Sequence, residues 1–172
     1  WFGSATAASN VINQTRALTE RPFAVNLRAD LNQGDHIAAG LDAGITTIHL
    51  FWGDPASAMA PIRHSGARMI ATVSDLDTAK AALDAGAVAL IAQGMEAGGH
   101  VFGTTPLAEL LPQVLDAARG IPVAAAGGIA DGNDVADALS LGAAAAVLGT
   151  RLVATDESDA HPDYKEALVG AA

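Results

Sequence analysis

Val123-Ala124-Ala125-Ala126-Gly127-Gly128-Ile129 and, 21 residues on, Ala144-Ala145-Ala146-Val147-Leu148-Gly149-Thr150 follow one pattern. Each is a short apolar run that breaks on glycine. A run of four or five apolar residues is too short for a helix and suits a strand buried on both faces of a parallel sheet. Working back toward the N-terminus, similar runs lie at Val88–Ala92, Ala67–Val73, Ile45–Phe51 and Phe23–Arg28. Between them, helical patterns cover Val11–Leu18, His36–Ala43, Asp77–Ala85, Pro106–Arg119 and Asp134–Leu141.

Four of the five intervals between successive run starts are 21 or 22 residues, and the one longer interval, Val88 to Val123, is 35. A spacing this regular predicts βα units of one size, joined by right-handed crossovers that curl the sheet in one direction. The predicted fold is α/β: a (β/α)8 TIM barrel, incomplete at the N-terminus, with six to seven strands present. A seventh strand would end at the stub Trp1-Phe2-Gly3. An eight-stranded barrel typically takes about 250 residues, whereas this chain has 172 and does not begin with Met. Residues 1–172 are therefore expected to be one partial barrel domain lacking the first strand and part of the second unit. The alternative is a doubly wound open sheet.

Composition narrows the function. The net charge is −10 with only nine basic residues, all scattered, which disfavours nucleic acid and anionic membrane surfaces. Without cysteine the chain can build neither a disulfide framework nor a thiolate metal site. No apolar run approaches the roughly 18 residues needed to span a bilayer, and no signal peptide is apparent. A cytoplasmic location is expected.

The extra length after Val88–Ala92 is a loop, Gln93-Gly94-Met95-Glu96-Ala97-Gly98-Gly99-His100 and onward to Thr105. Long loops in compact α/β domains are usually functional, and barrel chemistry sits where strands run into helices. Gly98 and Gly99 let the backbone approach a planar ligand closely. His100 follows on the same loop, and an imidazole is the natural general base near neutral pH. A glycine-rich turn carrying a surface histidine accounts for the stretch equally well on these grounds. The turns at Gly127-Gly128 and Gly149-Thr150 close the last two strands. In barrels, that place often holds a phosphate on backbone amides and a short helix N-terminus. Two such turns point to a phosphate-bearing ligand; one alone would be an ordinary βα turn. Asn26 is a polar residue in an apolar strand and needs a partner.

These motifs together resemble the nitronate monooxygenase family, formerly the 2-nitropropane dioxygenases. The resemblance lies in Ala92–His100, Ile121–Gly132, Leu141–Ser158 and the tail Ala160-His161-Pro162-Asp163-Tyr164-Lys165, and extends back through Arg16–Leu27. It implies a noncovalently bound FMN and oxidation of alkyl nitronates by O2 to a carbonyl compound and nitrite. It also implies His100 as the base that deprotonates a neutral nitroalkane. The family's flavin contacts match Asn26, Gln93, Gly98, Gly128 and Val147-Leu148-Gly149-Thr150; Gly99 and Gly127 complete the expected cofactor set. No metal is expected. The expected partners are a small nitronate or nitroalkane and O2, and a homodimer is left open. This sequence departs from the family at Val88 and Ala144, where Asp is common, and in a Gly99–Gly103 loop that is one residue longer than in many relatives.

Two other readings remain at this stage. Enoyl-acyl-carrier-protein reductase II and flavin-dependent quinone reductases share the fold and the flavin, which makes an NAD(P)H-dependent FMN reductase the first alternative. A noncatalytic barrel fragment is the second. Among the other residues, His49 is expected to be a satisfied buried or mouth-facing histidine rather than a ligand. His36, His64 and His161 show no metal spacing. Glu96 is expected to pair with a backbone amide or a cation rather than act in acid–base chemistry. Trp1 and Trp52 are assigned to the core, and Asp156-Glu157-Asp159 to the surface.

Overall fold

The computed structural model describes residues 3–171, apart from the side chain of Ala60. Six parallel strands form one sheet in chain order: β1 (Val25–Arg28), β2 (Thr47–Phe51), β3 (Arg68–Val73), β4 (Ala89–Gln93), β5 (Val123–Ala126) and β6 (Ala145–Val147). The helices are α1 (Ala5–Leu18), α2 (Gly34–Asp42), α3 (Ala56–Ser65), α4 (Leu76–Ala85), α5 (Leu107–Ala118), α6 (Gly132–Ser140), the single turn α7 (Thr150–Val153) and α8 (Pro162–Gly170). Consecutive strands pair throughout, so the sheet winds one way with no reversal. This is the arrangement of an incomplete (β/α)8 barrel, not of a doubly wound sheet. The candidate strand ending at Trp1-Phe2-Gly3 falls mostly outside the described residues. No helix among the described residues is long and apolar enough to cross a membrane.

The register lines up one face of the sheet in rows. Leu27, Leu50, Ala71, Leu90 and Val123 lie side by side, flanked by Val25-Ile48-Met69 on one side and Val73-Ala92-Ala125-Ala146 on the other. Nearly all of these are buried against Ile12, Ile37, Ile62, Leu110, Leu111 and Val114 of the helices. Alanines at 71, 92, 125 and 146 let the helices sit close. Alternation sends the intervening residues to the opposite, concave face: Asn26, His49, Ile70, Thr72, Ile91, Gln93, Ala124 and Ala126.

Helix ends follow local chemistry. The Asp75 and Asp131 side chains each close a capping box at the start of α4 and α6. Helix α3 escapes the periodicity reading because Pro61 sits in its middle, where a proline ordinarily marks a break. Helix α8 was also unforeseen. It buries no residue, so its sequence carries little apolar pattern, and Lys165 Nζ ties it down by donating to Thr155 O at 2.8 Å.

Asn26 finds its partner on the concave face. Its Nδ2 donates to His49 Nδ1 at 2.8 Å, and His49 Nε2 lies 2.7 Å from Thr72 Oγ1. This polar layer spans β1, β2 and β3 and confirms His49 as a satisfied histidine. With Nδ1 accepting, the ring is neutral and Nε2–H donates to Thr72. Burial disfavours the imidazolium and pushes the His49 pKa down from 6.5 to about 4.

Two predictions follow from this packing. Leu90 is fully buried in the central row, so Leu90→Ala should cost about 2–5 kcal/mol in a urea unfolding titration. For His49, the unfolded chain takes up a proton near pH 6.5, whereas the folded chain resists it until about pH 4. Stability is therefore complete above pH 6.5 and falls as the pH drops toward 4, by up to about 3 kcal/mol. Unfolding midpoints measured at pH 7.5 and 4.5 should fall further for the wild type than for His49→Gln.

Candidate active site

The C-terminal ends of β4, β5 and β6 carry the three glycine-containing stretches, and the structure packs them together. After Gln93, the chain turns through Gly94, whose amide donates to Ala126 O at 2.9 Å and so fastens the loop to β5. Glu96 then folds over the start of α5. Its Oε1 and Oε2 lie 3.1 and 3.0 Å from the Leu107 amide, so this carboxylate accepts from the backbone, as expected. The amide of Met95 donates to Thr105 O at 3.0 Å, closing the loop at its far end.

Close approach dictates the glycines. A Cβ on Gly98 would collide with Thr150 Oγ1, so the loop from β4 lies directly on the turn after β6. Gly127 has φ +113°, and a Cβ there would press at 3.1 Å on the Ala97 amide nitrogen and Gly94 O. A side chain at this position would be both strained and crowded. Gly128 lies against Glu96, with 3.3 Å between a built Cβ and Glu96 Cβ. Gly99 and Gly149 instead face open space. Val147 is exposed on the concave face, and Leu148 packs against the core. The Gln93, Gly98, Gly127, Gly128, Gly149 and Thr150 positions thus share one rim.

The amide donors there are unequally available. Asp131 Oδ1 accepts from the Asn133 and Asp134 amides at 2.7 and 3.1 Å, so the first turn of α6 is already capped by a carboxylate. Helix α7 starts at Gly149 with no side-chain cap. An anion at this rim would therefore meet the Gly127-Gly128 and Gly149-Thr150 turns rather than the end of α6.

His100 stands exposed on the loop, with its backbone carbonyl 3.3 Å from Gln93 Nε2. Across from it lies a cleft of about 510 Å³ lined by Asn26, Arg28, Asn32, Gln33, His36, Phe51 and His100. The expected base and the expected flavin contact on β1 therefore border the same space.

Trp52 corrects its assignment to the core. It follows the last residue of β2 and sits at the rim, where its ring meets the His100 imidazole edge-on at 5.2 Å between centroids. Phe102 approaches the same indole at 6.3 Å. The Arg28 guanidinium lies 4.5 Å from the indole centroid, a cation–π contact. Asp30 accepts from Arg28, with Nε to Oδ1 at 2.7 Å. That hydrogen bond holds the Asp30 carboxyl below the usual carboxylate range. Trp52 also has φ +54°, a left-handed conformation that costs a bulky residue about 1–3 kcal/mol and is kept only where its surroundings enforce it. Sequence reasoning missed the Asp30–Arg28–Trp52–His100 chain of contacts. The available signal was position: Arg28 ends β1 and Trp52 follows the end of β2, on the side where barrels carry their chemistry.

The family model described as "Nitronate monooxygenase" matches residues 34–172. A nitronate monooxygenase of Paraburkholderia phytofirmans is 32% identical over 226 residues, covering 98% of this chain and 59% of that protein. A (3aS,4S,5R,7aS)-5-hydroxy-7a-methyl-1-oxo-octahydro-1H-indene-4-carboxyl-CoA dehydrogenase of Mycobacterium tuberculosis is 38% identical over 150 residues, covering 86% of this chain and 42% of that protein. Among solved structures, FabK from Thermotoga maritima superposes with a TM-score of 0.88 at 36% identity, over 94% of this chain and 52% of that one. The chain spans about half the length of the curated relatives it matches. With the family model covering most of its residues and its fold shared with solved relatives, the chain belongs to the nitronate monooxygenase family.

Proposed function

We propose that this chain forms the flavin-binding and base-bearing part of an FMN-dependent enzyme. The reaction is oxidation of alkyl nitronates by O2 to a carbonyl compound and nitrite, and His100 deprotonates neutral nitroalkanes. The observation that carries this reading is the packing of the Gln93–His100 loop onto both glycine turns. It brings the His100 loop, both glycine turns and the Asn26 cleft to one rim.

The donor set fits a flavin mononucleotide. The Gly127-Gly128 and Gly149-Thr150 turns offer backbone amides and a hydroxyl to a phosphate, neutral donors in a chain of net charge −10. Asn26 and Gln93 would offer their amides to the polar edge of the ring, Gly99 faces open space, and Gly98 lets the loop close on Thr150. Val147 and Leu148 complete the wall leading to Gly149. FMN, when bound, supplies the electron acceptor for the nitronate. His100 takes the α-proton of a nitroalkane on its imidazole, and Trp52 limits the rotation of that ring through its edge contact. Glu96 stays out of proton transfer because its oxygens accept from Leu107.

The relative named as a carboxyl-CoA dehydrogenase favours a second reading. Here the flavin would exchange electrons with a nicotinamide, as in NAD(P)H-dependent FMN reductases of the enoyl-acyl-carrier-protein reductase II or quinone reductase type. Anaerobic mixing separates the two: bleaching by a nitronate but not by NADH supports the first, and the reverse supports the second.

Two further outcomes are expected. General-base catalysis contributes about 10²–10⁴-fold, so His100→Ala should lower kcat/KM for a neutral nitroalkane by at least about 100-fold. Turnover of the pre-formed nitronate should stay within about tenfold; equal losses on both substrates would reject the base role. Gly98→Val should force the loop off Thr150 and weaken FMN binding by at least about tenfold, equivalent to ~1.4 kcal/mol. This is read by fluorescence titration of the apoprotein with FMN.

A further inference from the structure

The cleft of about 510 Å³ beside His100 contains one group that the proposed function leaves without a task, the Arg28 guanidinium. Alternation along β1 puts Arg28 two residues beyond Asn26 on the same concave face, at the C-terminal end of the strand. Its side chain keeps 22% of its surface accessible and lines the cleft. The polar residues that line the cleft with it, Asn26, Asn32, Gln33, His36 and His100, carry no fixed charge. No carboxylate stands among the described lining residues. In a chain of net charge −10, this wall is locally cationic.

The neighbours of Arg28 fix its orientation. A guanidinium has five N–H donors, and the Asp30 carboxylate accepts from those on one edge, from Nε at 2.7 Å and from Nη2. Asp30 itself lies outside the cleft lining. The guanidinium carbon lies over the Trp52 indole, 4.5 Å from the ring centroid, and the same indole meets the His100 imidazole edge-on at 5.2 Å. A fixed cation and the expected base thus lean on one ring and border one space.

An arginine fork matches a planar pair of oxygens that share a negative charge. A nitronate presents such a pair on its nitrogen. A neutral nitroalkane acquires it during deprotonation. The α C–H bond breaks, the proton goes to the His100 imidazole, and the electron pair of that bond forms C=N as charge moves onto the nitro oxygens. A donor already held in place stabilises such charge as it develops.

We propose that Arg28 is a further catalytic residue, which binds the nitro or nitronate oxygens of the substrate in the cleft it shares with His100. Its part in turnover rests on the function proposed above, whereas the selection of a planar two-oxygen anion rests on the cleft alone.

Calorimetric titration of the FMN-loaded protein with propionate and with propanamide tests the site without turnover, because the two ligands are alike in shape and differ in charge. Propionate should bind about tenfold or more tightly than propanamide, as a hydrogen bond to a charged group allows. Arg28→Met, which keeps an apolar stem beside Trp52, should remove that preference while FMN affinity stays at the wild-type level. Arg28→Lys, which keeps the charge and loses the fork, should retain part of it. In turnover, Arg28→Met should raise KM for a pre-formed nitronate about tenfold or more. It should lower kcat/KM for the neutral nitroalkane as well, whereas His100→Ala strikes mainly the nitroalkane.

Equal wild-type affinity for propionate and propanamide would overturn the proposal, as would a preference that survives Arg28→Met or a loss that tracks weakened FMN binding. If Arg28→Met does not fold, Arg28→Lys decides: a reduced preference supports the site, and an unchanged one overturns it. Propionate selected through Arg28 in a protein that oxidises no nitronate would uphold the anion site and reject the function. Nitronate oxidation indifferent to Arg28→Met would reject the role of Arg28 alone.

Discussion

The contact between the β4 loop and the turns that end β5 and β6 is the constraint on which the rest of this site depends. Three segments far apart in the chain converge within van der Waals distance because two positions lack a side chain. At Gly98 the space is filled by Thr150, and at Gly127 by the backbone of Gly94 and Ala97. Parallel strands in chain order place every βα turn at the same end of the sheet, and the glycines turn that shared end into direct contact. Without them, the imidazole of His100 and the amide donors of the two turns would occupy one rim but not one site.

A second layer holds this rim from below and beside. On the concave face, Asn26, His49 and Thr72 form a hydrogen-bonded row that fixes the amide of Asn26 relative to β2 and β3. Keeping His49 neutral avoids a charge in a space that burial makes unfavourable for one. Above it, Asp30 orients Arg28, Arg28 covers the Trp52 ring, and Trp52 meets His100. The strained backbone of Trp52 fits this view, since a left-handed tryptophan persists only where packing on several sides demands it. Phe51, the residue before Trp52, borders two cavities of different character. The one lined by His100 is the more polar, and the other is largely apolar.

Much of the architecture was legible in the residues because parallel strands buried by helices leave continuous apolar runs, and glycines mark where those runs turn. All six strands were found, although several boundaries moved by one or two residues; β2, for instance, begins at Thr47 rather than Ile45. Helices α3 and α8 were not legible, the first because Pro61 reads as a break and the second because it lies on the surface with no apolar stripe. At the site, glycine pairs and a loop histidine were visible locally. The role of Glu96 as a backbone acceptor and of His49 as a satisfied histidine followed from ordinary preferences. Trp52 was misassigned because a large aromatic is usually core, and nothing local reveals that Arg28 and His100 approach it from β1 and the β4 loop. Long-range contact of that kind is set by register, which single runs do not specify.

Hydrogen–deuterium exchange with and without FMN tests the shared-rim account most directly. Joint protection of the amides at 94–100, 127–128 and 149–151, at one FMN concentration, is the result this account predicts. Protection confined to one of these segments, or falling outside all three, would contradict it.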